Sequence, residues 1–215
     1  METRDINRKM TDTGHECQKK GYWVWKRCVD IIGAIAACTM LFLPSVFVVL
    51  LIRLTSRGPV IYAQERLGMG GRTFVVYKFR TMHMDAEADG PQFAMPDDQR
   101  CTSIGAFLRK TRIDEWPQFW NVLKGDMSIV GPRPERAYFY QQFSETIPLF
   151  YKRLQIKPGL TGYAQVYGGL YLTPEEKLQY DLYYIEHCGV GMDIRCMLKT
   201  VIVVAQLLFC GDANG

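Results

Sequence analysis

The stretch from Ile31 to Ile52 reads IIGAIAACTMLFLPSVFVVLLI and contains no charged residue. A helix of this length spans about 30 Å, the thickness of the hydrocarbon core of a bilayer. Pro44, followed directly by Ser45, lies inside it and removes a backbone hydrogen bond, which bends a helix. This stretch therefore predicts a membrane-embedded helix that is interrupted near its middle.

Basic residues flank the apolar segment at both ends. They are Lys19, Lys20, Lys26 and Arg27 before it, and Arg53 and Arg57 after it. Because positively charged flanks tend to stay on the cytoplasmic side, neither end is expected to cross the membrane. A re-entrant helix that enters, breaks at Pro44 and returns to the same face satisfies both observations. A single spanning anchor with a tolerated proline is the alternative.

The composition of the chain is that of a globular protein, with 48% apolar and 22% charged residues among 215. A net charge of +4 suits anionic lipid or phosphate-bearing ligands, and no nucleic acid partner is predicted. The seven cysteines form no Cys-x-x-Cys pair, and the three histidines lie far apart. These patterns predict neither a disulfide framework nor a zinc site.

The elements expected along the chain define a mixed α/β fold, helix-rich with a small sheet. We divide it into a polar arm with an interfacial start (1–28), a re-entrant membrane helix (29–57), a catalytic domain (58–192), and a C-terminal apolar or amphipathic helix with its tail (193–215). Two strands joined by a glycine turn are expected at 59–63 and 73–80. Helical spacing is expected over 104–124, where Gly125 is a natural terminator, and helices are expected at 135–145, 173–188 and 193–209. Lys199 interrupts the last of them, so a packed or interfacial helix is expected there rather than a second membrane span.

Two adjacent acids, Asp114 and Glu115, precede Trp116 and Pro117. Pro117 must occupy the first turn of any helix here, so the acids lie at or beside a helix N-terminus. The positive end of that helix favours ionised carboxylates and a phosphate brought alongside. A plain helix cap beside a solvated basic surface is the alternative.

Three basic residues are candidates for binding phosphate. Arg133 stands between Pro132 and Pro134, which fix its loop and present a guanidinium fork suited to phosphate oxygens. Lys78 and Arg80 lie two apart on a strand and therefore share one face. A rigid surface turn and a charged edge strand are the respective alternatives. A second glycine-rich loop, 157–165, fits a ligand site and ordinary turn chemistry equally well.

Five motifs follow one another in a fixed order. They are Tyr77–Met82 (YKFRTM), Arg112–Gln118 (RIDEWPQ), Asn121–Ser128 (NVLKGDMS), Val130–Glu135 (VGPRPE), and Lys157–Gly162 (KPGLTG) with Ala164–Val166 (AQV). Together they resemble the bacterial sugar transferases, the monotopic phosphoglycosyl transferases that start glycan assembly on polyprenol phosphate. The resemblance extends from about Lys26 to Leu208.

This resemblance implies a catalytic domain held on one leaflet by a re-entrant helix and interfacial helices. The family passes a sugar 1-phosphate from a UDP-sugar to undecaprenyl phosphate and releases UMP, which initiates capsule, exopolysaccharide, O-antigen or glycoprotein assembly. Its aspartate and glutamate correspond to Asp114 and Glu115, and its usual cofactor is Mg²⁺. We expect Asp114 to be the nucleophile, passing through a covalent sugar-phosphoryl aspartate, and to contact the metal. Glu115 is expected to organise the metal or to handle a proton.

The remaining expectations concern surroundings and partners. Arg112 and Arg133 are expected to neutralise the pyrophosphate together with Mg²⁺. The expected location is the bacterial inner membrane with the catalytic domain on the cytoplasmic face, among membrane lipid and downstream glycosyltransferases. A homodimer is left open. The family commonly breaks its membrane helix at Ser-Pro, whereas the order here is Pro44-Ser45.

Two other functions remain as alternatives. One is a membrane-tethered glycosyltransferase that releases UDP, although the chain has no Asp-x-Asp metal motif. The other is a non-catalytic membrane adaptor whose acids and arginines only pair with each other. The identity of the sugar is not specified by these motifs, and we expect the discriminating contacts on the loops 85–103 and 167–172.

Overall fold

A computed structural model of the chain describes residues 20–88, 90, 92, 98–168 and 172–209. The predicted polar arm up to residue 19 lies outside these residues. The helices described are α1 (Lys20–Thr55), α2 (Ser103–Lys110), α3 (Gln118–Lys124), α4 (Ala137–Thr146), α5 (Tyr163–Tyr167), α6 (Pro174–His187) and α7 (Val190–Phe209). The strands are β1 (Ile61–Leu67), β2 (Thr73–Phe79), β3 (Ser128–Val130) and β4 (Gly159–Thr161). The prediction of a helix-rich α/β fold is confirmed, with two strand pairs in place of one small sheet.

Helix α1 contains the apolar segment and is longer than predicted, since residues on both sides of Pro44 are helical. The predicted break at Pro44 is therefore not seen as an interruption of the helix. No residue between Ala34 and Val48 is buried, and Met40 and Leu43 are 73% and 76% exposed. Within the described residues, α1 is the one helix long and apolar enough to cross a membrane.

Both ends of α1 pack on the same domain. Near its start, the Lys26 ammonium lies 2.7 Å from the Asp193 carboxylate, and Asp30 accepts a hydrogen bond of 2.8 Å from the amide of Ile129. Near its end, Ile52 is fully buried in an apolar cluster with residues of β2 and α2. The exposed middle of the helix therefore lies between two anchored ends.

Strands β1 and β2 form the predicted antiparallel hairpin, although β1 begins at Ile61 and extends further than expected. Tyr62 lies opposite Lys78, and Gln64 lies opposite Val76. Residues directly opposed in an antiparallel pair point to the same face of the sheet. Arg80, predicted to lie on β2, follows one residue after the strand ends.

The helical stretch expected over 104–124 is divided into three pieces. Helix α2 ends before Arg112, which adopts a left-handed conformation with φ of 59°, and a 3₁₀ turn covers Ile113–Glu115. Pro117 then occupies the N-cap position of α3, and Gly125 ends this helix with φ of 90°. The left-handed residue reverses the local winding, so the helical path is interrupted at Arg112. The helix predicted to start at about Pro117 and to end at Gly125 is confirmed as α3.

Strands β3 and β4 form a parallel pair that the sequence did not predict. The segment 157–165, expected to be a loop, supplies β4 and the start of α5. A Cβ atom added to Gly159 would lie 2.1 Å from the Gly131 nitrogen, so the two chains approach too closely for any side chain. Backbone packing therefore accounts for these glycines.

Helices α6 and α7 close the domain. The predicted capping box is confirmed, because Thr173 accepts a hydrogen bond from the Glu176 amide and the Glu176 carboxylate accepts one from Thr173. Helix α7 begins three residues earlier than predicted, at Val190. Asp193 on this helix is buried against the domain. Its exposed apolar residues are Val190, Ile194, Leu198, Val201 and Ile202.

Candidate active site

A cleft of about 1430 Å³ opens between the hairpin, helix α2 with the 3₁₀ turn that follows it, and the loop before α4. It is lined by all six predicted site residues: Lys78, Arg80, Arg112, Asp114, Glu115 and Arg133. Ten Lys and Arg residues face five Asp and Glu residues among the described residues that line it. This excess of positive charge suits an anionic ligand.

The acidic pair lies on the short 3₁₀ turn at the floor of the cleft. Asp114 is 6% exposed and Glu115 is 8% exposed. The preceding Arg112 is the one non-glycine residue in the described part of the chain with positive φ, a conformation that is costly for this residue type. Neither acid caps α3, whose N-cap residue Pro117 offers no side-chain hydrogen bond. The simple cap interpretation is therefore excluded.

Glu115 is surrounded by three cations. Its carboxylate accepts a hydrogen bond of 2.9 Å from Lys78 and further bonds from Arg133, and Arg112 lies 3.8 Å away. Burial disfavours the charged form of Glu115, but Arg133, Lys78 and Arg112 outweigh it and hold the pKa well below its usual range. Glu115 is therefore an anion at neutral pH, and it fixes the positions of these cations.

Asp114 has a different environment. One carboxylate oxygen, Oδ2, lies 3.9 Å from the Lys78 ammonium, whereas Oδ1 is buried without a hydrogen-bond partner. Burial, followed by the neighbouring charge of Glu115, raises the pKa of Asp114 to about 6. Its carboxylate is still mainly ionised at pH 7. Burial and the charge of Glu115 oppose the ionised form, so the predicted contribution of a helix N-terminus to the charge of Asp114 stays a prediction.

The backbone of Arg133 is fixed by Arg153, a buried residue that was not among the predicted site residues. The guanidinium of Arg153 donates a bond of 2.9 Å to the Arg133 carbonyl and another of 2.7 Å to the Asp181 carboxylate. Both Arg153 and Asp181 are almost fully buried. No spacing signal links these residues to the cleft, because the contacts join segments distant in sequence.

Arg80 lines the cleft, but its two shortest hydrogen bonds lead out of it. Its guanidinium donates to the carbonyl and hydroxyl oxygens of Ser56, at 3.0 and 2.6 Å. It therefore ties the end of the hairpin to the segment that follows α1. The predicted role of Arg80 in binding phosphate stays a prediction.

The cleft carries a second ionic cluster, around Glu135. Glu135 is buried between Arg66 and Lys177, whose nitrogens lie 3.4 and 3.1 Å from its carboxylate oxygens. Arg66 and Lys177 were not among the predicted site residues. Arg66 could have been found from the sequence, because it alternates along β1 with Tyr62 and Gln64 and so shares a face with them.

Of the two acids, Asp114 is the one with a free oxygen that suits a magnesium ion. No group of three or more His, Cys, Asp or Glu residues that could hold a metal exists within the described ranges. Mg²⁺, however, commonly takes one or two carboxylates and completes its coordination with water and substrate phosphates. The unpartnered Oδ1 of Asp114 is such a donor, whereas the Glu115 oxygens already bind cations.

Comparison with known proteins gives several matches at substantial identity. The chain is 42% identical over 179 residues, 82% of its length, to the UDP-N-acetylgalactosamine-undecaprenyl-phosphate N-acetylgalactosaminephosphotransferase of Aeromonas hydrophila. It is 40% identical over 187 residues, 84% of its length, to the UDP-glucose:undecaprenyl-phosphate glucose-1-phosphate transferase of Xanthomonas campestris pv. campestris. The aligned regions are 42% and 39% of these relatives, so the chain spans about two fifths of their length.

A shorter relative is covered more completely. The putative undecaprenyl-phosphate N-acetylgalactosaminyl 1-phosphate transferase of Bacillus subtilis (strain 168) is 51% identical over 137 residues, 62% of this chain and 74% of the relative. The sequence profile described as Bacterial sugar transferase matches residues 21–207, which include α1, the cleft and most of α7. The chain therefore belongs to the bacterial sugar transferase family.

Proposed function

We propose that this chain transfers a sugar 1-phosphate from a UDP-sugar to undecaprenyl phosphate and releases UMP. The observation that carries the proposal is Asp114, a carboxylate with one unpartnered oxygen on the floor of a positively charged cleft. Family membership supports it, as do the activities named for the Aeromonas and Xanthomonas relatives. Such a reaction starts the assembly of a bacterial surface glycan.

In the first step, a carboxylate oxygen of Asp114 attacks the phosphorus that bears the sugar. A new Asp–phosphorus bond forms, the bond to the bridging oxygen breaks, and UMP leaves with that oxygen. Attack by an anion on a diphosphate meets charge repulsion, which Lys78, Arg112 and Arg133 reduce. Glu115 keeps Lys78 and Arg133 in place through the bonds described above.

In the second step, a phosphate oxygen of the polyprenol phosphate attacks the same phosphorus and frees Asp114. Mg²⁺ is the proposed cofactor; Asp114 Oδ1 would hold it, and when bound it would supply positive charge to the pyrophosphate oxygens. Because Glu115 is already paired with cations, we assign it to positioning rather than to proton transfer or metal binding.

We further propose that α1 is re-entrant and that α7 lies in the interface of the same leaflet, the cytoplasmic leaflet of the inner membrane. The support for a re-entrant α1 is that both of its ends pack on one domain while its middle is exposed. A straight spanning helix would carry its two basic flanks to opposite sides. The support for α7 is its exposed apolar face.

The topology is tested with single-cysteine chains in sealed membrane vesicles. One chain keeps the exposed Cys28 as its sole cysteine, and another carries Arg57→Cys. A membrane-impermeant maleimide should label both from the same side, while a third chain with Leu43→Cys should react from neither side. Labelling of positions 28 and 57 from opposite sides would show that α1 spans the bilayer.

The reaction is tested by product analysis. Purified protein in detergent, a UDP-sugar, undecaprenyl phosphate and Mg²⁺ should give UMP and a lipid-linked sugar diphosphate. Release of UDP would instead indicate a glycosyltransferase that moves the sugar alone. No nucleotide product with any UDP-sugar would favour the non-catalytic adaptor.

A further inference from the structure

A row of polar side chains runs along one wall of the cleft. Tyr62, Gln64 and Arg66 alternate along β1, so their side chains share one face, and all three line the cleft. Of the residues that alternate with them, Ala63 and Glu65 do not line the cleft, whereas Ile61 at the start of the strand does. We call these three residues the β1 row. Their side chains together face any ligand in the cleft.

Hydrogen bonds fix the orientation of the β1 row. Arg66 donates to the side-chain carbonyl of Gln64, and the Gln64 amide nitrogen donates to the Tyr62 hydroxyl at 2.7 Å. Arg66 is in turn held by the Glu135 carboxylate at 3.4 Å. Tyr62 thus uses its oxygen as an acceptor, and among the described residues its hydroxyl hydrogen has no protein acceptor. That donor is left for a ligand.

The β1 row begins beside the reaction centre. Tyr62 lies directly across the hairpin from Lys78, and such opposed side chains start about 5 Å apart. Lys78 is the residue that contacts both acids, at 2.9 Å from Glu115 and 3.9 Å from Asp114. A group bound by Tyr62 therefore lies next to the phosphorus that Asp114 attacks.

We infer that the β1 row binds the sugar of the nucleotide sugar and selects among sugars through Tyr62 and Gln64. This inference rests on the proposed function, because it assigns one part of the same substrate. The sugar is attached to the attacked phosphorus, whereas the uridine lies one phosphate further away. The groups that recognise the sugar must therefore stand beside Lys78, as Tyr62 does.

The chemistry of the row suits a neutral, hydroxyl-rich ligand better than a phosphate. Tyr62 and Gln64 are neutral, and burial followed by the charge of Glu87 raises the pKa of Tyr62, so it stays a phenol that can donate. The charge of Arg66 is already balanced by Glu135. Sugar hydroxyls and an acetamido group both accept hydrogen bonds from such donors.

Two conservative variants test this inference. Tyr62→Phe removes only the hydroxyl, and Gln64→Leu keeps the size of the side chain but removes its hydrogen bonds. The control is Glu65→Gln, on the same strand but on its opposite, exposed face. For each protein, kcat/KM is measured with UDP-glucose, UDP-galactose and their two N-acetylated counterparts, and UDP is titrated as a competitive inhibitor. Thermal unfolding in detergent verifies that the variants are folded.

We expect kcat/KM for the preferred sugar to fall about tenfold or more in both variants, with a changed ranking among the four sugars. Inhibition by UDP should stay within about twofold of the unaltered protein, and Glu65→Gln should behave as the unaltered protein does. An unchanged sugar ranking in both folded variants would overturn the inference while leaving the proposed function intact. A parallel loss of UDP binding would also overturn it, by assigning the row to the nucleotide. Absence of UMP from the unaltered protein with every sugar would instead remove the proposed function itself.

Discussion

Asp114→Asn is expected to abolish UMP release, lowering the rate by at least about 10⁴-fold. The substitution keeps the size of the side chain but removes the oxygen anion that forms the bond to phosphorus. The measurement is UMP formation under saturating UDP-sugar. The charge-matched control is Glu145→Gln, an exposed residue at the end of α4 that does not line the cleft and should leave the rate unchanged. Activity of Asp114→Asn comparable to the control would remove Asp114 from the mechanism.

The same substitution is expected to stabilise the folded protein at neutral pH. Because the pKa of Asp114 rises from 3.8 to about 6 on folding, the folded state binds its proton more tightly than the unfolded state does. Stability is therefore lost as the pH rises from about 4 through 6, by up to about 3 kcal/mol for this one group. Asparagine avoids that loss. The unfolding temperature in detergent should exceed that of the unaltered protein at pH 7.5, and the two should converge near pH 4.

Glu115→Gln is expected to have the opposite effect on stability and a large effect on activity. The glutamine cannot balance the charges of Lys78, Arg112 and Arg133, which then repel each other around Asp114. We expect a loss of about 2–3 kcal/mol, less than for a fully buried pair because these cations are partly exposed. UMP release should fall by about 10²–10³-fold, because the cations no longer stand where charge develops.

The pH dependence of stability distinguishes the role of Glu115 from that of Asp114. Since cations hold the pKa of Glu115 well below its usual range, its contribution to stability is present above the unfolded pKa of about 4.5 and is lost as the pH falls through the lower folded value. The difference in unfolding temperature between Glu115→Gln and the unaltered protein should therefore be largest at neutral pH and shrink in acid. Equal stability of Asp114→Asn and Glu115→Gln at pH 7.5 would contradict the distinct environments assigned to the two acids.

The elements with strong local signals were predicted well. The glycine turn of the hairpin, the Thr173 capping box and the uncharged length of α1 each depend on neighbouring residues, and local chemistry alone specifies them. The positions of Asp114, Glu115, Lys78 and Arg133 around one cleft followed from motifs in a known order.

The features that were not predicted depend on contacts between segments that are distant in sequence. The parallel pair β3–β4 is only three residues long on each side, too short for a periodic signal, and its glycines resemble those of an ordinary turn. The left-handed conformation of Arg112 splits a stretch whose apolar spacing looks helical throughout. The support of Arg133 by Arg153 joins two segments through a backbone carbonyl, which side-chain patterns do not report.

The central claim is that Asp114 carries the sugar phosphate between the two substrates, and a reaction without the acceptor tests it most directly. Purified protein is mixed with a UDP-sugar and Mg²⁺ in the absence of polyprenol phosphate and then quenched. UMP and the mass of the intact chain are measured, and the modified peptide is identified. We predict about one UMP per active chain and a sugar-phosphate adduct on the peptide that contains Asp114, with neither in Asp114→Asn. UMP formation that requires the acceptor, with no adduct on the chain, would contradict the account.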